Sequence, residues 1–182
     1  MRSRRGDSGK TTPRGTDPAG DDGSRPAGGA GSRGGAAFLV AQVGAHAASR
    51  FAARLSELDL APAHAGILRL LGGSPGVSQQ ALAELLGISP SRLVALVDEL
   101  AERGLVERRN DPRDRRAYSL HLTALGGRRL QEIGRLAREH QDALCAALGA
   151  GEREQLASLL RRIADEQGLT PLVHPGYRSR RR

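Results

Sequence analysis

The chain has 182 residues and a formal net charge of +8, a length that holds one domain with a real core and is short for two. The charge sits mostly at the ends. Residues 1–36 carry 7 basic and 4 acidic side chains and residues 169–182 carry 4 basic and none acidic, leaving 17 and 16 between them, so the overall excess does not itself mark a polyanion-binding surface.

The first 36 residues hold 10 of the 24 glycines and almost nothing that wants burial. They cannot offset their ordering entropy and are predicted to be a disordered tail. No apolar region follows the basic N-terminus as a signal peptide requires, and no stretch approaches the roughly 20 apolar residues of a membrane span. The lone Cys145 cannot form an internal disulfide. A soluble, cytoplasmic protein with no membrane contact is expected, with one domain over 37–168 and a basic tail over 169–182.

Helical periodicity begins at once in that domain. Val40, Val43, Ala47, Phe51, Leu55 and Leu58 recur at helical spacing from Phe38 to Leu58. Pro62 opens a short second helix with Ile67, Leu68, Leu70 and Leu71, and "GGSPG" at 72–76 stops it. Ser78 is a natural N-cap for the next helix, which is expected to bury Leu82, Leu85 and Leu86 and to end at Gly87. Ser89 caps another helix with Pro90 at its first position; Leu93, Leu96, Val97 and Leu100 form its apolar stripe and Gly104 closes it. Two helices separated by so short a turn have helix-turn-helix spacing.

After Gly104 the period changes. "LVERR" and "AYSLHLT" are β-prone, and in the second Tyr118, Leu120 and Leu122 alternate with Ala117, Ser119 and His121. They predict a hairpin with a long charged tip. Thr123 then caps a helix to about Leu148, with Leu130, Ile133, Ala137, Leu144 and Leu148 inward. A last helix from Glu152 carries Leu156, Leu159, Leu160 and Ile163. The fold class is mainly α: a winged helix-turn-helix with a two-stranded wing, flanked by long N- and C-terminal dimerisation helices.

Five arginines of the core fall between Arg108 and Arg116. A solvated loop needs no such density, whereas a hairpin tip beside DNA does: its arginines can lie along phosphates or enter the minor groove. Asp111 and Asp114 can hold them in register by charge-assisted hydrogen bonds. A recognition helix meets base edges with its N-terminal residues, here Ser89, Ser91 and Arg92. Arg92 is the long donor fork available to a guanine, and the serines suit phosphates or non-selective base contacts.

The order of elements and the run "LVDELAERGLVERRNDPRDRRAYSLHLT" from Leu96 to Thr123 resemble the MarR family of bacterial transcription regulators. The resemblance covers essentially the whole core and leaves out both tails. It implies that Asp98 pairs with Arg116 to brace the wing, that Asp114 steadies a tip arginine, and that Arg113 or Arg115 probes the minor groove. Family members often place Thr and Arg where this chain has Val94 and Ala95, so base-specific hydrogen bonding is thinner here, with Val94 positioned for a thymine methyl. The outer helices are implied to intertwine with those of a second copy. The two-fold dimer would then read a pseudo-palindromic operator with half-sites roughly 10 bp apart.

Related proteins bind small anionic aromatic molecules in a cleft between the dimer helices and the DNA-binding lobe. The segments implied to line it offer His46, Phe51, His64, Ile67 and His140. Separated histidines fall short of the three or four ligands of a zinc site, and Cys145 beside Ala146 and Ala147 suits inert packing; no metal or cofactor is expected. No nucleophile-base arrangement or phosphate-binding loop is present, which excludes an enzyme. The expected function is a sequence-specific, double-stranded DNA-binding transcription regulator, a homodimeric repressor relieved by a small effector. The alternative is an architectural or weakly sequence-specific DNA binder on the same frame, drawing on the arginine tails.

Overall fold

Six helices and three short strands follow one another as α1 (Ala36–Ser56), α2 (Pro62–Gly73), β1 (Val77–Ser78), α3 (Gln79–Leu86), α4 (Pro90–Glu102), β2 (Val106–Asn110), β3 (Tyr118–Leu122), α5 (Ala124–Leu144) and α6 (Ala150–Glu166). The computed structural model describes residues 34–110, 118–171 and 173–174.

Short polar side chains set where the helices begin. The Ser78 hydroxyl accepts from the Ala81 N–H at 3.1 Å, and Ser89 does the same for Arg92 at 3.3 Å with Pro90 following it. Each such cap is worth about 1 kcal/mol. Gly87 ends α3 at φ 64°, a left-handed conformation that a residue with a Cβ takes only at a cost, and the chain turns there into α4. Thr123 has a double role: its hydroxyl accepts from the Gly126 N–H at 2.9 Å and donates to the Gly104 carbonyl at 2.6 Å. The start of α5 is thereby tied to the turn between α4 and β2.

The core forms where α2 is covered on nearly every side. Leu55 of α1, Ile67, Leu68 and Leu71 of α2, Leu82 of α3, Leu93, Val97 and Leu100 of α4 and Leu120 of β3 are all at most 1% exposed. Val106 and Ile133 join the same cluster from β2 and α5. Removing one such leucine leaves a cavity that costs about 2–5 kcal/mol, so this cluster sets the seating of the helix-turn-helix.

The sheet is antiparallel in the order β1-β3-β2, with Val106 opposite Leu122, Asn110 opposite Tyr118 and Val77 opposite Leu120. The wing therefore has a third, two-residue strand that periodicity does not announce. Other details also differ from expectation. Leu85 is 46% exposed, and Ala83 is buried instead. Helix α5 ends at Leu144, and it buries Leu136 rather than Ala137. Helix α6 starts two residues before Glu152, because the Glu152 carboxylate turns back to accept from the Gly149 N–H at 2.7 Å. No side chain of α6 is buried. The expected tails over 1–36 and 169–182 lie largely outside the described residues.

Candidate nucleic-acid interface

Helices α3 and α4 meet at 110°, within the range of a helix-turn-helix. Leu93, Val97 and Leu100 point α4 into the core, which leaves Ser89, Ser91, Arg92, Val94 and Ala95 exposed around its N-terminal end. The Ser89 hydroxyl is engaged as a cap and lies 3.3 Å from that of Ser91. Ser91 and Arg92 are thus better placed than Ser89 to meet a ligand. Gln79, Gln80, Glu84, Pro90 and Val94 line an open cavity of about 370 Å³ between the two helices. The glutamines at the start of α3 were not singled out from sequence, since polar residues at a helix start look like ordinary surface.

The base of the wing is described and its tip is not. Asp98 of α4 forms an ion pair with Arg108 of β2, linking recognition helix and wing. Arg116, the partner expected for Asp98, lies among residues 111–117 outside the described residues, together with Asp111, Arg113, Asp114 and Arg115. Arg109 folds back on Glu107 at 3.0 and 2.5 Å. On β3, Ser119 is buried, donates to the Arg109 carbonyl at 3.3 Å and lies 3.1 Å from His121 Nε2.

Of the five residues expected at an effector cleft, His46 is exposed on α1 and the other four separate into two groups. His64 and Ile67 are buried in the core, at 4% and 0% exposure. The rings of Phe51 and His140 meet across α1 and α5, tilted by 38° with centroids 5.4 Å apart. Burial first, then Arg54, Arg50 and His46, hold His140 below the usual histidine range. Phe51 also lines a cavity of about 440 Å³ between α1, α2 and α5, whose wall includes Ala65, Gly66, Leu130 and Ile133 with Arg69 and Arg138. The two arginines were not anticipated. Beside it, Glu139 pairs with Arg54 and, at 3.2 Å, with Arg135. The Arg54 hydrogen bond is the main reason its carboxyl lies below the usual range. Among the described residues no three histidine, cysteine or carboxylate side chains converge as metal ligands. No single described helix is long and apolar enough to cross a membrane.

These elements define a winged helix-turn-helix carried between long outer helices. The MarR family model matches residues 58–117, from just after α1 to the residue before β3. A putative transcriptional regulatory protein for the hcr operon of Thauera aromatica is 36% identical over 106 residues, 58% of this chain and 64% of that protein. The chain thus spans less than two thirds of that relative's length. Among solved structures, the transcriptional repressor CouR bound to a 23-mer DNA duplex is 34% identical with a TM-score of 0.64, over 71% of this chain and 92% of that one. The PcaV transcriptional regulator from Streptomyces coelicolor is 27% identical with a TM-score of 0.62, over 75% of this chain and all of that one. The chain belongs to the MarR family of transcription regulators.

Proposed function

We propose that the protein is a homodimeric, sequence-specific regulator that binds double-stranded DNA and represses transcription until a small ligand releases it. The observation that carries the DNA-binding reading is the exposed N-terminal end of α4, with Ser91 and Arg92, set beside a wing that Asp98 and Arg108 tie to the same helix. That geometry suits a helix end in the major groove and a wing along the flanking backbone or minor groove. The solved CouR complex with a DNA duplex, on a similar chain, supports the same use of the fold.

The dimer reading rests on the outer helices. Phe38, Val40 and Val43 of α1 are 59%, 46% and 50% exposed, and Leu159 and Ile163 of α6 are 45% and 50% exposed. Apolar stripes on two long helices need a partner surface. The small-ligand reading rests on the cavity at Phe51, where an apolar wall with Arg69 and Arg138 fits an aromatic carboxylate. Arg113 or Arg115 is assigned to minor-groove contact, with Asp111 and Asp114 holding the tip arginines in register and Arg116 bracing the wing.

Selection of bound fragments from a random-sequence DNA pool, at physiological salt with non-specific competitor, tests this reading. An inverted repeat with half-sites roughly 10 bp apart is expected. Recovery of no motif, with binding that vanishes as salt rises, would favour an architectural binder that depends on the arginine tails.

A further inference from the structure

Among the described residues, His64 is an ionisable side chain held inside the core, 4% exposed. Its ring has a different partner on each side. Nδ1 accepts from the Ala61 N–H at 3.1 Å, capping the first turn of α2. Nε2 lies 3.0 Å from Glu99 Oε2 on α4, a close approach that is off-line for a well-formed hydrogen bond. Because Nδ1 accepts, the neutral ring carries its proton on Nε2, directed to the carboxylate side. At the C-cap of α4, one turn further on, Arg103 donates to the main-chain carbonyl of Asp59. The rear of the recognition helix is therefore held at two points, Glu99 against His64 in the first turn of α2 and Arg103 against Asp59 in the connection from α1.

We propose that His64 is a positioning residue for DNA recognition: through Glu99 it seats α4 on the start of α2, so that Ser91 and Arg92 are presented correctly only while the ring is neutral. The inference rests on the DNA-binding reading and adds to it a joint between the outer helix α1 and the recognition helix. Protonation would place a second N–H at Nδ1 against the Ala61 N–H and undo the cap. It would also put a positive charge in the first turn of α2, where the helix dipole opposes it. Glu99 alone would gain from the charge, drawing the ring toward α4 and away from α2.

Burial is the largest influence on His64 and holds it below the usual histidine range, while the charged groups acting on it come from α4 and its C-cap, Glu99 raising its pKa and Arg103 lowering it. The sign of the pH effect follows. An unseated ring, exposed to water, titrates near 6.5. As pH falls through that value the unseated state takes up a proton before the seated one does. The seated state is fully favoured above about 6.5 and loses its advantage down to the lowered pKa of the seated ring. Operator affinity should fall over the same window.

The test uses the full chain and an operator duplex recovered by selection at pH 7.5, with affinity and thermal midpoint measured at pH 7.5 and 5.5 for wild type, His64→Gln and Glu99→Gln. Glutamine at this third helical position can accept from the Ala61 N–H through its oxygen and donate toward Glu99 through its amide, without titrating. His64→Gln is expected to bind within about twofold of wild type at pH 7.5. At pH 5.5 it should hold affinity that wild type loses by about fivefold or more. Glu99→Gln, which removes the charge that favours imidazolium, should move the wild-type midpoint to lower pH. A parallel acid decline in wild type and His64→Gln, or an unmoved midpoint in Glu99→Gln, overturns the proposal. Absence of any selected operator for wild type at pH 7.5 would instead remove the DNA-binding reading and this joint with it.

Discussion

Arg92 and Gly126 show how differently one residue acts on the face and in the frame. Arg92 is exposed next to the cap of α4, so its removal should leave the fold alone. If its guanidinium forks onto a guanine, Arg92→Ala should cost about 1–3 kcal/mol at one base position and relax selectivity there. Competition binding against operators varied one base at a time reads this directly, and an equal loss on every sequence would reduce Arg92 to a phosphate contact. Gly126 contributes nothing to the face. A Cβ there would collide with the main-chain carbonyl of Leu105, against which the first turn of α5 is packed. Backbone cannot swing aside as a side chain can, so Gly126→Ala should destabilise the domain by about 1–3 kcal/mol, the usual cost of overpacking. Chemical denaturation would register it as a lower midpoint with an unchanged slope.

Elements announced themselves in the sequence in proportion to how local their causes are. Ser78, Ser89 and Thr123 are legible as caps because a short polar side chain ahead of an apolar helical run acts on the N–H three residues on. The two-residue β1 has no period to read, and it exists only because β3 supplies its partner. The same limit hid the partners of Asp98 and His64. Arg108 is ten residues from Asp98 and Glu99 is on a different helix from His64, so both contacts depend on packing that no spacing rule contains. Wing contacts follow this division as well. Asp98 and Arg108 are partly solvent-exposed, so their pair should contribute under about 1 kcal/mol to folding. Its weight lies in aligning wing and helix. Asp98→Ala should therefore lower operator affinity several-fold while the thermal midpoint barely moves; a large loss of stability with intact affinity per folded molecule would contradict that role. Arg115→Ala, in the charge cluster between β2 and β3, should weaken operator binding while leaving folding and dimerisation alone, and unchanged affinity at physiological salt would count against the proposed wing role.

At the scale of the whole molecule, the question is what the outer helices are for. A helix with no buried side chain, such as α6, adds nothing to the core of its own chain, yet it keeps Leu156, Leu159, Leu160 and Ile163 on its surface at 40–50% exposure. With Phe38, Leu39, Val40 and Val43 of α1 also open, this is the apolar surface that the proposed dimer would cover. Burial of such surface stabilises by roughly 25 cal/mol per Å², and placing a carboxylate within it reverses the gain. Ile163→Asp should give a monomer by sedimentation. The variant should keep its helical circular dichroism, because the cluster around Leu68, Val97 and Leu120 does not include α6. Operator affinity should fall by far more than the loss of one arginine contact, since two half-sites would no longer be engaged by one particle. The wild-type thermal midpoint should also rise with protein concentration, as mass action requires of a dimer whose folding and association are linked. A midpoint independent of concentration, together with an Ile163→Asp variant that binds the inverted repeat as well as wild type, would separate the apolar stripes from DNA binding and leave them for a different partner.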